Sequence, residues 1–336
     1  MEDFKVTEVL GYEPGQQGEH LYLDVCKKNL NTDTVAKELA RTAGVPARNV
    51  SYSGLKDKLA ETRQWFSIHL PGKEDPDWTK IKEIFLQTDE DASFVIIKQV
   101  RHDKKLRRGA HRKNNFVIRV KALKADKDDL DSRLELIQQN GVPNYFGPQR
   151  FGYKGQNLLY GEKLIKGEEK VRSRHKKSLY LSSVRSLLFN HILSARVKDQ
   201  TWNQYKAGDV FMLDGSHSIF VEDGVEGGDE GAEKERSELK HRLSLQELHP
   251  TGPLWGEKGL RPELDSELFE QHYLESFHGI CKALEKQGLA YQRRSLRMKV
   301  NDLDWHFINE QTMELSFNLS AGCFATAVLR ELISFE

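Results

Sequence analysis

Apolar residues recur at every second position in four separate stretches: Leu21, Leu23 and Val25; Phe66, Ile68 and Leu70; Phe116, Ile118 and Val120; Met313, Leu315, Phe317 and Leu319. Successive side chains of a strand point to opposite faces, so this alternation predicts strands with one buried face and one polar or mixed face. Such strands suit an antiparallel or mixed sheet covered on one side. Stretches of helical period lie between them. Asn31 or Thr32 is placed to cap a helix carrying Val35, Ala36, Leu39, Ala40 and Ala43, stopped by Gly44 and Pro46. Leu130, Leu134 and Ile137 mark a second helix, ended by Asn140-Gly141 and Pro143. Val184, Leu187, Leu188, Ile192 and Ala195 mark a stronger third, and Thr326 opens a short last one with Val328, Leu329 and Leu332. Strands separated by helices predict an α+β architecture. The glycine-rich stretch Gly224 to Gly231 reads as an exposed loop, because periodic structure resumes on both sides.

With 336 residues the chain has room for two ordinary domains or one large one, and 38% hydrophobic residues are enough for a core. No apolar run approaches the roughly 20 residues of a membrane helix. The opening Met-Glu-Asp-Phe-Lys has no apolar signal core, so a cytoplasmic location away from membranes is expected. Cys26, Cys281 and Cys323 lie far apart, without metal-ligand spacing, and fit a reducing compartment. Net charge is zero, with Lys+Arg 51 against Asp+Glu 51. The distribution is uneven. Arg101, Lys104, Lys105, Arg107, Arg108, Arg112 and Lys113 form one basic run, and Lys170, Arg172, Arg174, His175, Lys176 and Lys177 form another. Acidic residues concentrate in 222–238. Each run alone is an ordinary solvated charge cluster; two, each flanked by aromatic-bearing segments, give a neutral molecule a basic face suited to RNA.

Three segments carry candidate chemistry. The first is Ser51-Tyr-Ser-Gly-Leu-Lys-Asp57-Lys-Leu-Ala-Glu-Thr-Arg-Gln64-Trp65-Phe66. A carboxylate flanked by Lys56 and Lys58 favours its charged form, and an ionised, positioned Asp57 can act as a nucleophile or a general base. Taken alone, this is also how an ordinary charged turn before a strand looks. The second, Gly141-Val-Pro-Asn-Tyr-Phe-Gly-Pro-Gln-Arg-Phe-Gly152, combines aromatic faces with Asn144, Gln149 and Arg150. Unstacked RNA bases require such groups, and so does a tight aromatic-pinned loop joining domains. In the third, Phe317 to Leu332, a strand meets a small-residue turn and then a helix, with Phe324 at the turn, either projecting into a cleft or simply in the core.

In this order the segments resemble the TruD family, tRNA pseudouridine synthase D. The family pattern Asp-Phe-x-Val-x-Glu is matched by Asp3 to Glu8, and Gly-Glu-His by Gly18 to His20. Gly-x-Lys-Asp-x-x-Ala-x-Thr-x-Gln is matched by Gly54, Lys56, Asp57, Ala60, Thr62 and Gln64. Asn-Tyr-Phe-Gly-x-Gln-Arg-Phe-Gly is matched through 144–152, and Ala-Thr-x-Val-x-Arg-Glu-Leu by 325–332. The resemblance spans essentially the whole chain. It implies that Asp57 is the catalytic nucleophile and that Phe4, Asn114 and Phe324 line the pocket for the target uridine. It implies a discontinuous catalytic domain, 1–140 with 299–336, of the pseudouridine synthase type, with a mixed, mainly antiparallel sheet and flanking helices. Residues 141–298 would form an inserted α/β TRUD domain. The sequence departs from the pattern at Lys113, where glycine is usual, at Ser320 in place of a proline, and at Lys299-Val300 in place of Tyr-Pro. Relatives also carry residues ahead of Asp-Phe, so either an edge strand is missing here or the start is late.

The implied reaction breaks the N1–C1′ bond of uridine, turns the uracil and rejoins it through C5. Nothing is oxidised and no group is imported, so neither cofactor nor metal is expected. The base must leave its stack, at a cost of a few kcal/mol, and stacking on an aromatic ring returns about 1–3 kcal/mol. Phe324 and Phe4 are the rings proposed for this by the resemblance, and Asn114 offers both a donor and an acceptor to a uracil edge. The expected partner is tRNA, with uridine 13 of tRNA(Glu) the target implied by bacterial relatives and a monomer the expected form. The 101–113 and 170–177 basic runs are expected to grip phosphates. A pseudouridine synthase with another RNA target, or a tRNA-binding protein without chemistry, remains open at this point.

Overall fold

The computed structural model describes residues 2–222 and 230–333. The described chain divides into two compact units: 1–127 with 300–323, and 128–299 with 324–336. The α+β class expected from the alternating patterns is what the fold shows. Of the glycine-rich stretch 224–231, residues 224–229 lie outside the described residues, and Glu230 and Gly231 open a helix.

The first unit begins with β1 (Phe4–Leu10), β2 (His20–Lys28), α1 (Thr32–Thr42), β3 (Val50–Tyr52), β4 (Glu61–His69), α2 (Ile81–Thr88), β5 (Ser93–His102) and β6 (His111–Lys121). Each predicted strand here forms, with its alternating residues inward. Leu21, Leu23 and Val25 of β2 are fully buried beside Phe66 and Ile68 of β4. Val35 and Leu39 of α1 and Ile81 and Phe85 of α2 pack onto them in one hydrophobic cluster. Gly18, first residue of the Gly-Glu-His motif, has φ +130°, and a Cβ there would lie 2.3 Å from the His102 carbonyl oxygen. Only glycine lets the chain pass so close to β5.

The second unit holds α3 (Lys127–Asn140), β7 (Val142–Pro143), α4 (Pro148–Phe151), α5 (Gln156–Ile165), α6 (Arg174–Lys198), β8 (Val210–Leu213), β9 (Ile219–Val221), α7 (Glu230–Ser244), β10 (Leu248–Leu254), α8 (Leu264–Leu274), α9 (His278–Glu285), β11 (Gln292–Ser295) and β12 (Arg297–Met298). Its antiparallel sheet runs β11-β10-β8-β9. The predicted Val184–Ala195 periodicity becomes the middle of the 25-residue α6, whose Leu188 and Phe189 are fully buried. Buried ion pairs brace this unit, among them Arg196 with Asp209 at 2.8 Å and Arg293 with Glu270 at 2.7 Å.

The chain then returns to the first sheet as β13 (Asn301–Asn309) and β14 (Thr312–Ser320), and ends in α10 (Ala325–Leu332), which belongs to the second unit. The completed sheet has eight strands in the order β13-β14-β6-β1-β4-β2-β5, with β3 paired to β4. All pairings are antiparallel except β1 with β4. β1 therefore lies inside the sheet, bonded to β4 on one side and β6 on the other. Phe4 is anchored opposite Ile118 despite its position near the start of the chain.

Candidate active site

Residues level with one another across a sheet share a face. One such row is Lys27, Thr62, Val6, Phe116 and Phe317, read across β2, β4, β1, β6 and β14. One step further along the same face come Val25 opposite Gln64, and Glu8 and Leu319 opposite Asn114. Four strands thus carry a polar residue in phase with their buried apolar residues: Glu8 after Phe4 and Val6, Lys27 after Val25, Gln64 before Phe66, Asn114 before Phe116. All four are buried. The register brings them to two adjacent rows of one face, Lys27 in one and Glu8, Gln64 and Asn114 in the next, near the start of α1.

The loop between β3 and β4 carries Asp57 over this patch. Its anchor is Lys56, whose ammonium is drawn inward between two strands. Lys56 Nζ lies 3.0 Å from Glu8 Oε2, with the two side chains 7% and 0% exposed, and donates to Asn114 Oδ1 at 2.9 Å. The approach to Glu8 is oblique, an ion pair without hydrogen-bond alignment. Removing either partner would leave an uncompensated buried charge, at a cost of about 3–5 kcal/mol. Thr32 accepts a hydrogen bond from the Lys56 backbone N–H at 3.1 Å and donates to Gln64 Oε1 at 2.9 Å; Gln64 Nε2 donates to the Gly54 carbonyl at 3.1 Å. Asn31 is the N-cap residue of α1 without a side-chain cap bond, while Thr32 is engaged with the loop. Asp57 follows Lys56 directly and is exposed, its carboxylate without a hydrogen bond or ion pair among the described residues. The loop thus holds one charged residue rigidly in the sheet and leaves the next one outside.

Asn114 is buried, with Nδ2 3.3 Å from His111 Nε2. An amide has two donor hydrogens and two acceptor lone pairs, so one of each stays open for a uracil edge. Burial holds the His111 imidazole below its ordinary value of 6.5, with Glu8 opposing and Lys56 adding to the shift. A neutral His111 can accept the amide hydrogen. Phe4 lies four residues before Glu8 on β1, about 13 Å along the strand. Its ring meets Phe116 edge-on at 6.2 Å, and Phe116 stacks on Phe317 at 5.4 Å. Phe324, just ahead of α10, is half-buried in a cluster with Phe146, Phe189, Leu193 and Leu296 in the second unit.

The 144–152 motif is largely structural. Asn144 is buried and donates to the Ser295 carbonyl at 2.9 Å. The Phe146 ring is buried with the Arg294 and Arg150 guanidinium groups 4.2 and 4.8 Å from its centroid, and Asn190 bonds its N–H and its carbonyl, each at 2.9 Å. These groups pin a loop and are not exposed to unstacked bases.

The 101–113 basic run divides by function. Arg101 is tied to Asp75 and to the Leu70 and Lys73 carbonyls, and Lys113 lies 3.7 Å from Asp302. Lys105, Arg107 and Arg108 instead line a cleft of about 440 Å³, together with Lys37, Asp33 and Tyr52. The Tyr52 hydroxyl donates to Asp33, and the Arg108 guanidinium sits 5.6 Å from the Tyr52 ring centroid. β3 leads from this cleft into the Asp57 loop. In the second unit, Lys170, Arg172, Arg174 and Lys176 are exposed at the start of α6, where the helix dipole already favours an anion. Sequence reading missed Glu8, Lys27, His111 and Phe116 as site residues. The signal that finds three of them is a polar or ring residue placed on the apolar phase of a strand.

The chain as a whole is similar to known proteins. A family model described as tRNA pseudouridine synthase D (TruD) covers residues 1–172 and 169–332. The tRNA pseudouridine synthase D of Pseudomonas putida (strain W619) is 44% identical over 337 residues, 99% of this chain and 89% of that protein. That of Stutzerimonas stutzeri (strain A1501) is 45% identical over 333 residues, 99% of this chain and 91% of that protein. The crystal structure of a protein described as tRNA pseudouridine synthase D from Methanosarcina mazei matches with a TM-score of 0.72, covering 100% of this chain and 92% of that one. Its 20% identity makes that a likeness of fold.

Proposed function

The chain belongs to the TruD family of tRNA pseudouridine synthases, and we propose that it isomerises uridine 13 of tRNA(Glu) with Asp57 as the catalytic nucleophile. The observation that carries this reading is the convergence of separate motifs on one loop. Glu8 comes from the Asp3–Glu8 motif, Lys56 and Gln64 from the Gly54–Gln64 motif, and Asn114 from β6, and together they fix the backbone immediately before an exposed, unpaired carboxylate. A nucleophile needs such a combination of a rigid mount and a free reacting group.

In this reading the N1–C1′ bond breaks, the uracil turns, and C5 joins C1′. The C5 proton leaves and N1 gains one, so atoms and electrons balance without an oxidant or a transferred group. The open donor and acceptor of Asn114 read the uracil edge. Phe4 and Phe324 serve as the apolar and stacking surfaces for the flipped base. Residues 1–140 with 299–336 act as the catalytic domain and 141–298 as the inserted TRUD domain. Phosphates bind the cations of the 105–108 cleft and those at 170–176. The protein acts as a monomer in the cytoplasm.

The test uses total tRNA from a strain lacking the enzyme, incubated with the wild type or with Asp57→Ala and mapped by carbodiimide modification and primer extension. The expected result is a single new stop at position 13 of tRNA(Glu) with the wild type and none with the variant. A stop elsewhere would reassign the target. Modification surviving in Asp57→Ala would remove Asp57 from the chemistry.

A further inference from the structure

The loop between β3 and β4 holds two residues in and leaves three out. The Lys56 side chain and Ala60 are buried, while Leu55, Asp57 and Leu59, at every second position, are exposed. Leu55 and Leu59 are 67% and 71% exposed, among the barest large apolar residues of the described chain. Their places are nonetheless fixed. The Gly54 carbonyl before Leu55 accepts from Gln64 at 3.1 Å, and the Lys56 N–H after it donates to Thr32 at 3.1 Å. Ala60, after Leu59, is buried at the entry to β4.

A single exposed leucine is ordinary on a protein surface. Two of them, one on each side of an unpaired carboxylate and both on a mounted loop, keep apolar surface bare at a fixed place. A chain advances at most ~3.6 Å per residue, so the Cα of each leucine lies within about 7 Å of that of Asp57. Stacked bases of a nucleic-acid strand follow one another at about 3.4 Å. A uridine whose sugar is within reach of Asp57 therefore has its neighbours within reach of the two leucines. When that uridine leaves the stack, the surfaces it uncovers are the apolar faces of those neighbouring bases. Lys58, exposed beside Leu59 and 3.9 Å from Asp89, suits phosphate as what comes next to this loop.

We propose that Leu55 and Leu59 are wedge residues that fill the space a flipped uridine leaves and press on the faces of the bases beside it. Apolar side chains inserted at a base step hold an opened stack in this way, and the surface they bury offsets part of the cost of flipping. The inference rests on Asp57 doing the chemistry, since that places the loop at the flipped nucleotide. It gives the leucines the neighbours of the uridine, whereas Asn114, Phe4 and Phe324 are proposed for the uracil itself.

The test measures single-turnover pseudouridine formation in tRNA by the full chain. Leu55→Ser and Leu59→Ser should each slow it about tenfold, and the two together more, with the thermal midpoint unchanged because both side chains are exposed. Leu55→Met with Leu59→Met, which keeps the apolar bulk, should stay within about threefold of wild type. A second substrate carries an abasic nucleotide on either side of the modified uridine, which removes the faces the leucines would press on. It should slow the wild type and slow the double serine variant no further. A wild-type rate in the double serine variant, a rate that falls in step with the thermal midpoint, or equal slowing of wild type and variant by the abasic tRNA would each overturn the wedge. Asp57→Ala, run beside them, separates the two levels. Pseudouridine formed by Asp57→Ala would overturn the functional reading and the wedge with it, whereas an inactive Asp57→Ala next to fully active serine variants would overturn the wedge alone.

Discussion

Three histidines, His20, His111 and His249, are held below their ordinary value of 6.5, chiefly by burial. The unfolded chain takes up protons below about pH 6.5 that the folded chain refuses, so it binds more protons there and stability falls as pH drops. The thermal midpoint should be lower at pH 5.5 than at pH 7.5. The loss should shrink in His111→Gln, which keeps an acceptor but cannot titrate in this range. An equal loss in both proteins would show that His111 is protonated without penalty. Asp57 is legible at this scale through the motifs around it, since Lys56-Asp57-Lys58 alone is a common turn. The burial of Lys56 is not legible, because its partner Glu8 lies far away in the chain and only the β1–β6 pairing brings Asn114 to it. Lys27 stands beside Lys28 in the sequence, and only its phase with Leu21, Leu23 and Val25 sets it apart.

At the scale of elements, the four alternating stretches form strands because each buries one face against helices or neighbouring strands. Their order cannot be read from the sequence. The placement of β1 between β4 and β6 depends on long-range pairing, one parallel and one antiparallel, that no local pattern encodes. The same pairing fixes Phe4, which sits in the interior of the sheet. α1 is legible from its periodicity, but Thr32 reads there as a possible cap, whereas its hydroxyl ties the Asp57 loop to β4. Thr32→Val keeps the shape and removes both bonds, leaving the buried Gln64 oxygen without this donor. It should cost about 1–3 kcal/mol in urea unfolding, and lower kcat more than KM because the loop loses its mount. Unchanged kcat in a folded Thr32→Val protein would show that the loop does not need this anchor.

For the whole molecule, zero net charge conceals two basic surfaces, one on each compact unit. The sequence locates both runs but cannot sort them, because ion pairing is set by tertiary contacts such as Arg101 with Asp75. Arg107→Ala with Arg108→Ala should weaken tRNA binding and reduce the slope of log K against log salt by about 1 for each phosphate no longer neutralised. Arg101→Ala should leave that slope alone and lower stability. A slope unchanged in the Arg107 and Arg108 double variant would remove the cleft from the RNA-binding surface. The compact units divide at 127, 300 and 323, so that α10 groups with the second unit, a packing relation that local periodicity does not encode.

In the proposed reaction the Asp57 carboxylate, mounted on buried Lys56, reacts with a bound uridine. Forming pseudouridine releases the hydrogen on C5, so tRNA made with [5-³H]uridine reports each turnover as tritium in water. The most direct measurement compares tritium release and tRNA affinity for the wild type and Asp57→Asn. Affinity should stay within about twofold of wild type, with release slowed by more than about 10³-fold. Release at a wild-type rate from Asp57→Asn, with affinity intact, would contradict it.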